Sequence, residues 1–148
     1  MSGTHAEQTK GRCLCGAVTV TVTGPLGDIS ACHCGPCTRW SGSVLMGLEI
    51  PRDRVVYDGP IKTYASSSFA QRAWCDTCGT AVWFTDTEGD GAACLELAPG
   101  LFDGFGGAQL TRVVYADQAP EGVKLAGNLD RVTKADYEAA NLHVEDTQ

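Results

Sequence analysis

Val18, Val20 and Val22 alternate with Thr19, Thr21 and Thr23, an apolar face and a polar face at a period of two. That pattern predicts a half-buried strand over Ala17–Thr23, closed by the turn residues Gly24-Pro25 and Gly27-Asp28. The same criteria predict strands at Ser43–Glu49, Val55–Tyr57, Ile61–Ala65 and Phe69–Trp74. Three more follow at Ala81–Thr85, Ala92–Leu97 and Gln109–Tyr115. Turn signals fall between them: Asp58-Gly59-Pro60, Glu88-Gly89-Asp90-Gly91 and Gly104-Phe105-Gly106-Gly107. Many short strands broken by glycine and proline predict a mainly β, single-domain protein. One helix is predicted, over Thr133–Ala140, with Thr133 as N-cap and Asp136 three residues on.

Composition narrows the class without changing that picture. The 148 residues are 43% hydrophobic and 20% charged, as in a globular chain with one core. No apolar run approaches the ~18 residues of a membrane span. The N-terminal MSGTHAEQTKGR is polar and lacks the apolar segment of a secretory signal, so a reducing, cytoplasmic setting is expected. A net charge of -7 disfavours nucleic acid as a partner, because phosphate binding rests on basic surface.

Seven of the eight cysteines fall into three clusters. Cys13 and Cys15 form CxC, Cys32, Cys34 and Cys37 form CxCxxC, and Cys75 and Cys78 form CxxC followed by Gly79. Residues i and i+2 of extended chain share a side, so a CxC pair offers two thiolates to one ion. A CxxC-Gly turn does so as a knuckle, relieved by a positive φ at the glycine. Cys13 and Cys15 are therefore expected to join Cys75 and Cys78 in a closed four-thiolate zinc site. Cys32, Cys34 and Cys37 need no distant partner and are expected to hold a second zinc with one position open, the catalytic pattern. Two zinc ions per chain follow, zinc being favoured over iron for want of a redox partner.

Cys34-Gly35-Pro36-Cys37 also spells a thioredoxin-type dithiol. That chemistry calls for a helix behind it. Thr38-Arg39-Trp40-Ser41-Gly42-Ser43 is short, polar and glycine-broken, and predicts none. His33, between two ligands on extended chain, is expected to point away from their ion. Cys94 is read as a small buried hydrophobe. Arg39 and Arg72 flank the clusters, as surface or strand arginines or as clamps for substrate carboxylates. Asp76, Asp86, Glu96 and Asp103 are scattered and read as solvated.

Taken in order, Gly11-Arg12-Cys13-Leu14-Cys15-Gly16-Ala17-Val18, Cys32-His33-Cys34-Gly35-Pro36-Cys37 and Trp40-Ser41-Gly42-Ser43 form a familiar series. It continues with Tyr64-Ala65-Ser66-Ser67 and Arg72-Ala73-Trp74-Cys75-Asp76-Thr77-Cys78-Gly79. Over about Gly11–Leu101 the chain resembles the glutathione-dependent formaldehyde-activating enzyme family, which includes centromere protein V-like proteins. Trp74 stands where the family has Phe, and beyond Phe102 the likeness thins to Leu101-Phe102-Asp103-Gly104 and Ala119-Pro120. Glu121-Gly122-Val123 stands where an aromatic often follows.

The resemblance implies an Mss4-like, zinc-stabilised β fold of several short antiparallel sheets. Residues 1–10 would be a flexible segment, 11–125 the zinc-binding β domain and 126–148 a C-terminal segment with a short helix. It places structural zinc on Cys13, Cys15, Cys75 and Cys78, and catalytic zinc on Cys32, Cys34 and Cys37. The implied activity is carbon–sulfur lyase-type: a small thiol such as glutathione adds to an aldehyde, giving S-(hydroxymethyl)glutathione from formaldehyde. Two rivals stand beside it. One is a zinc-binding carrier or sensor of the same fold, without turnover. The other is a B-type methionine sulfoxide reductase, disfavoured because its metal site uses two CxxC pairs.

Overall fold

A computed structural model describes residues 7–145. The predominance of short strands is as expected, and they gather into two sheets. The smaller sheet holds β1 (Gln8–Arg12), β2 (Thr19–Thr23) and β5 (Val55–Asp58), antiparallel in the order β1-β2-β5. Val18, Val20 and Val22 are fully buried and the threonines between them face outward, which is the predicted alternation. Each buried valine contributes roughly 1.5–3 kcal/mol over an exposed one. β1 carries no apolar alternation, so hydrophobic pattern alone does not reveal it. Its Gly11 lies against the Leu101 carbonyl and the Phe102 ring, where a side chain would collide.

The larger sheet runs β11 (Asp130–Val132), β10 (Leu110–Val114), β3 (Ile29–Cys32), β4 (Leu45–Pro51), β9 (Cys94–Leu97), β8 (Ala81–Asp86), β7 (Ala70–Cys75), β6 (Ile61–Ser67). Pairing is antiparallel from β3 to β6 and parallel on both sides of β10. Alternation sorts its two faces. Ile29, Leu48, Ile50, Ala73, Trp83, Leu95 and Leu97 enter the core with the β2 valines and Phe102. Ser30, Glu49, Arg72, Phe84, Cys94 and Glu96, beside them along the strands, line a cavity on the other side.

Two helices are present among the described residues. α2 (Lys134–Ala140) is the predicted one, with Thr133 Oγ1 accepting the Asp136 amide at 3.1 Å. α1 (Gly35–Ser41) corrects the expectation of no helix behind the CGPC stretch. It is built from its ends rather than from amphipathic periodicity. Cys34 is the N-cap, Pro36 sits in the first turn, and Gly42 terminates the helix at φ 76 with its amide on the Thr38 carbonyl. The glycine read as a breaker is the C-cap.

Of the segment expected to be flexible, residues 1–6 lie outside the described residues, and Gln8–Lys10 belong to β1. The C-terminal segment is tied into the sheet, since β11 pairs with β10 and the Tyr115 hydroxyl donates to Glu138 of α2 at 3.2 Å. No described helix is long and apolar enough to cross a membrane.

Candidate metal centres and cavity

The first cluster forms where the two sheets meet. Cys13 follows β1, Cys15 precedes β2, Cys75 ends β7 and Cys78 lies in the turn to β8. The structure brings all four sulfurs within 4.8 Å of one another. Cys13 and Cys15 Sγ are 3.6 Å apart and Cys15 and Cys75 Sγ 3.9 Å. A tetrahedral ion with bonds of about 2.3 Å requires about 3.8 Å between sulfurs, so these side chains fit a four-thiolate site. Gly79 makes the knuckle possible, with φ 81 and its amide on the Cys75 carbonyl at 2.8 Å. Thr80 links the two halves: its Oγ1 accepts the Leu14 amide at 3.0 Å and lies 3.1 Å from Cys78 Sγ.

Hydrogen bonding and burial act unequally on the thiols of this cluster. Hydrogen bonding from Thr80 draws Cys78 down to about 5. The Ala17 amide favours a thiolate at Cys15, but burial and the three other sulfurs outweigh it and push Cys15 up to about 11. Filling such a site means replacing thiol protons by a cation.

The second cluster is held by one strand end and one helix start. Cys32 ends β3, Cys34 caps α1, and Cys37 lies in its first turn; their sulfurs also fall within 4.8 Å of one another. The Cys34 amide points at Cys32 Sγ (3.5 Å) and the Cys37 amide at Cys34 Sγ (3.4 Å). Hydrogen bonds from Cys32 and Cys37, with Arg72 nearby, draw Cys34 down to about 3. Cys32 is pushed far up by the same sharing. The triad offers an ion three sulfurs, of which Cys34 is the one whose thiolate its neighbours favour most.

His33 is buried but outside this group, its amide on the Val114 carbonyl and its imidazole pKa lowered by burial. Its ring is not among the ligand atoms gathered in that cluster.

What separates the clusters is the space beside them. A cavity of about 670 Å³ is lined by Cys32, Cys34 and Cys37 and by none of the other four. Its floor is a row across the larger sheet: Arg72 pairs with Phe84, Phe84 with Glu96, and Glu96 with Glu49. Tyr115, Tyr137 and Glu138 supply wall from the C-terminal third, with residues 141–145.

Arg72 is a strand arginine, in β7, and not a surface one. It is 3% exposed, with Nη2 3.7 Å from Cys37 Sγ. Its guanidinium lies over the Phe84 ring (4.7 Å) and the Trp40 ring (5.7 Å). Nη1 is buried without a hydrogen-bond partner among the described residues. Arg39, by contrast, is exposed at the rim. Glu96 corrects another expectation: it is half-buried on the floor, and desolvation, with the nearby Cys37 and Glu49, pushes its carboxyl up to about 8. Cys94 faces the cavity, half-buried, instead of the core.

The sequence showed all seven sulfurs and offered Arg72 as one of two flanking arginines, but it did not mark Glu96 or the tyrosines as cavity residues. Period-two alternation puts Arg72, Phe84 and Glu96 on strand faces. Only the register between strands makes those faces one floor.

The sequence pattern described as glutathione-dependent formaldehyde-activating enzyme matches residues 8–118. A protein of Schizosaccharomyces pombe described as an uncharacterized lyase is 30% identical over 125 residues, covering 84% of this chain and 90% of that one. The crystal structure of a Rhodobacter sphaeroides protein superposes with a TM-score of 0.54 at 20% identity, covering 69% of this chain and 99% of that one. That likeness shows a shared fold.

Proposed function

The chain belongs to the glutathione-dependent formaldehyde-activating enzyme family, and we propose that it is a zinc-dependent carbon–sulfur lyase-type enzyme joining a small thiol to an aldehyde. The reaction that the family is named for is glutathione plus formaldehyde giving S-(hydroxymethyl)glutathione. One observation carries the reading: the three-sulfur cluster opens on the cavity and the four-sulfur cluster does not. Cys13, Cys15, Cys75 and Cys78 are assigned to structural zinc, and Cys32, Cys34 and Cys37 to the zinc that meets substrate.

When bound at the triad, zinc supplies a Lewis acid that lowers the pKa of a thiol beside it. The rest is the work of the chain. Cys32, Cys34 and Cys37 leave one side of their cluster open to a substrate sulfur. Arg72 donates toward Cys37 Sγ and offsets the negative charge that three thiolates and a fourth would accumulate. Phe84 and Tyr137 replace water around the reacting atoms with rings, which strengthens that electrostatic balance. Arg39 and Arg112, exposed at the rim, suit the carboxylates of a peptide-like thiol.

Formation of the hydroxymethyl adduct from glutathione and formaldehyde, followed by NMR against buffer, tests this. Acceleration by wild type and its loss in Cys34→Ser are expected. No acceleration by wild type would remove the enzyme reading and leave a thiol-binding carrier.

A further inference from the structure

We infer that Arg72 is a catalytic residue of this proposed reaction, binding through Nη1 the oxygen of the aldehyde, or of the hydroxymethyl adduct, beside the triad. The inference rests on the function proposed above and adds the partner of the electrophile. Its starting point is an imbalance. A guanidinium stays charged in any protein environment and presents a fixed fork of donors. Here Nη2 faces a triad sulfur, yet Nη1 is buried with no acceptor, and no carboxylate forms an ion pair with Arg72 among the described residues. An unpaired buried donor on a cation costs more than a neutral one, and an acceptor supplied by ligand would remove that cost.

Position says which acceptor. The two Nη atoms of a guanidinium are about 2.3 Å apart. With Nη2 3.7 Å from Cys37 Sγ, Nη1 lies no more than about 6 Å from that sulfur, within reach of a small group bound at the triad. A thiol's remote carboxylate belongs at the rim with Arg39, because Arg72 lies at the floor and is 3% exposed. The atom suited to Nη1 is one or two bonds from the substrate sulfur. In thiol addition that atom is the carbonyl oxygen. The sulfur lone pair forms the new S–C bond, the C=O π pair moves onto oxygen, and the proton lost by the thiol ends on that oxygen. Arg72 keeps its own protons and donates a hydrogen bond to the oxygen as charge develops. The Phe84 and Trp40 rings pack against the guanidinium, so little ordering remains to be done in the reaction.

The test uses holoprotein of measured metal content: wild type, Arg72→Met, which keeps the apolar stem, and Arg72→Lys. Each is titrated with thioacetate, whose carbonyl oxygen is one carbon from its sulfur, and with ethanethiol, which has none. Arg72→Met is expected to weaken thioacetate about tenfold or more and ethanethiol less than about threefold, the scale of one charge-assisted hydrogen bond. Arg72→Lys should keep the preference only in part, lacking the fork. In turnover, kcat should fall about 100-fold with the thiol KM little changed. Equal weakening of both probes would make Arg72 a support of the triad alone, and no weakening of either would make it inert; each overturns the inference. If Arg72→Met does not fold, wild-type holoprotein labelled with 15N-arginine decides. The buried guanidinium signals must move with thioacetate and not with ethanethiol, and an equal response overturns the inference. Wild type without turnover would remove the proposed function, whereas the probe comparison still reads whether Arg72 binds an oxygen.

Discussion

Replacing Cys75 by serine should separate the two clusters by stability. Cys75 is fully buried, part of the core cluster, and its partner Cys15 lies 60 residues away in sequence. A cross-link spanning that separation removes unfolded-state entropy worth about 4 kcal/mol. The serine hydroxyl left in an apolar setting costs about 1–3 kcal/mol more. Together these approach about 5–7 kcal/mol, a large part of the roughly 5–15 kcal/mol that holds a domain folded. Cys34→Ser is the matched control: its cluster spans Cys32–Cys37, so the corresponding entropy is about 2 kcal/mol, and Cys34 sits half-buried at the cavity. Thermal unfolding by far-ultraviolet circular dichroism, with zinc content measured per chain, should lower Tm by more than about 10 °C for Cys75→Ser and by about 5 °C or less for Cys34→Ser. Equal shifts, or a Tm for Cys75→Ser within about 3 °C of wild type after loss of one metal, would refute the assignment of the four-sulfur cluster as the structural one.

Two other outcomes follow from the floor and the core. Glu96, raised from the ordinary carboxyl range to about 8, binds its proton more tightly folded than unfolded. Stability it contributes is therefore complete below the unfolded carboxyl range and lost as pH rises toward about 8; Glu96→Gln should flatten urea midpoints measured across that window, and an unchanged slope would count against burial as the cause. Gly11→Ala places a methyl against the Leu101 carbonyl and the Phe102 ring, so urea unfolding should show a loss of about 1–3 kcal/mol, and a neutral result would mean that β1 can shift at that point.

The two cysteine pairs and the triad were legible because the geometry within each is local. Spacing fixed which sulfurs could share a side, and Gly79 carried the turn chemistry in its identity. The β2 alternation was legible for the same reason. α1 was missed because its signals are at its ends: Cys34 as cap, Pro36 in the first turn, Gly42 at the terminus, with one buried side chain, Cys37, between them. β1 was missed because it is polar, and β3 and β11 because four and three residues with little apolar alternation do not stand out; they are strands by virtue of their partners.

The sequence by itself determined the mainly β class, the division of seven cysteines into three groups, and the family resemblance carried by their order. These depend on residue type and spacing within a few positions. Tertiary structure decided which cluster faces a cavity, that Arg72 is buried with an open donor beside Cys37, and that Glu96 is desolvated. Those facts arise from the register of strands far apart in sequence. A one-residue slip in any pairing would turn Arg72 or Glu96 to the opposite face, and nothing in either residue's neighbours along the chain records which register wins.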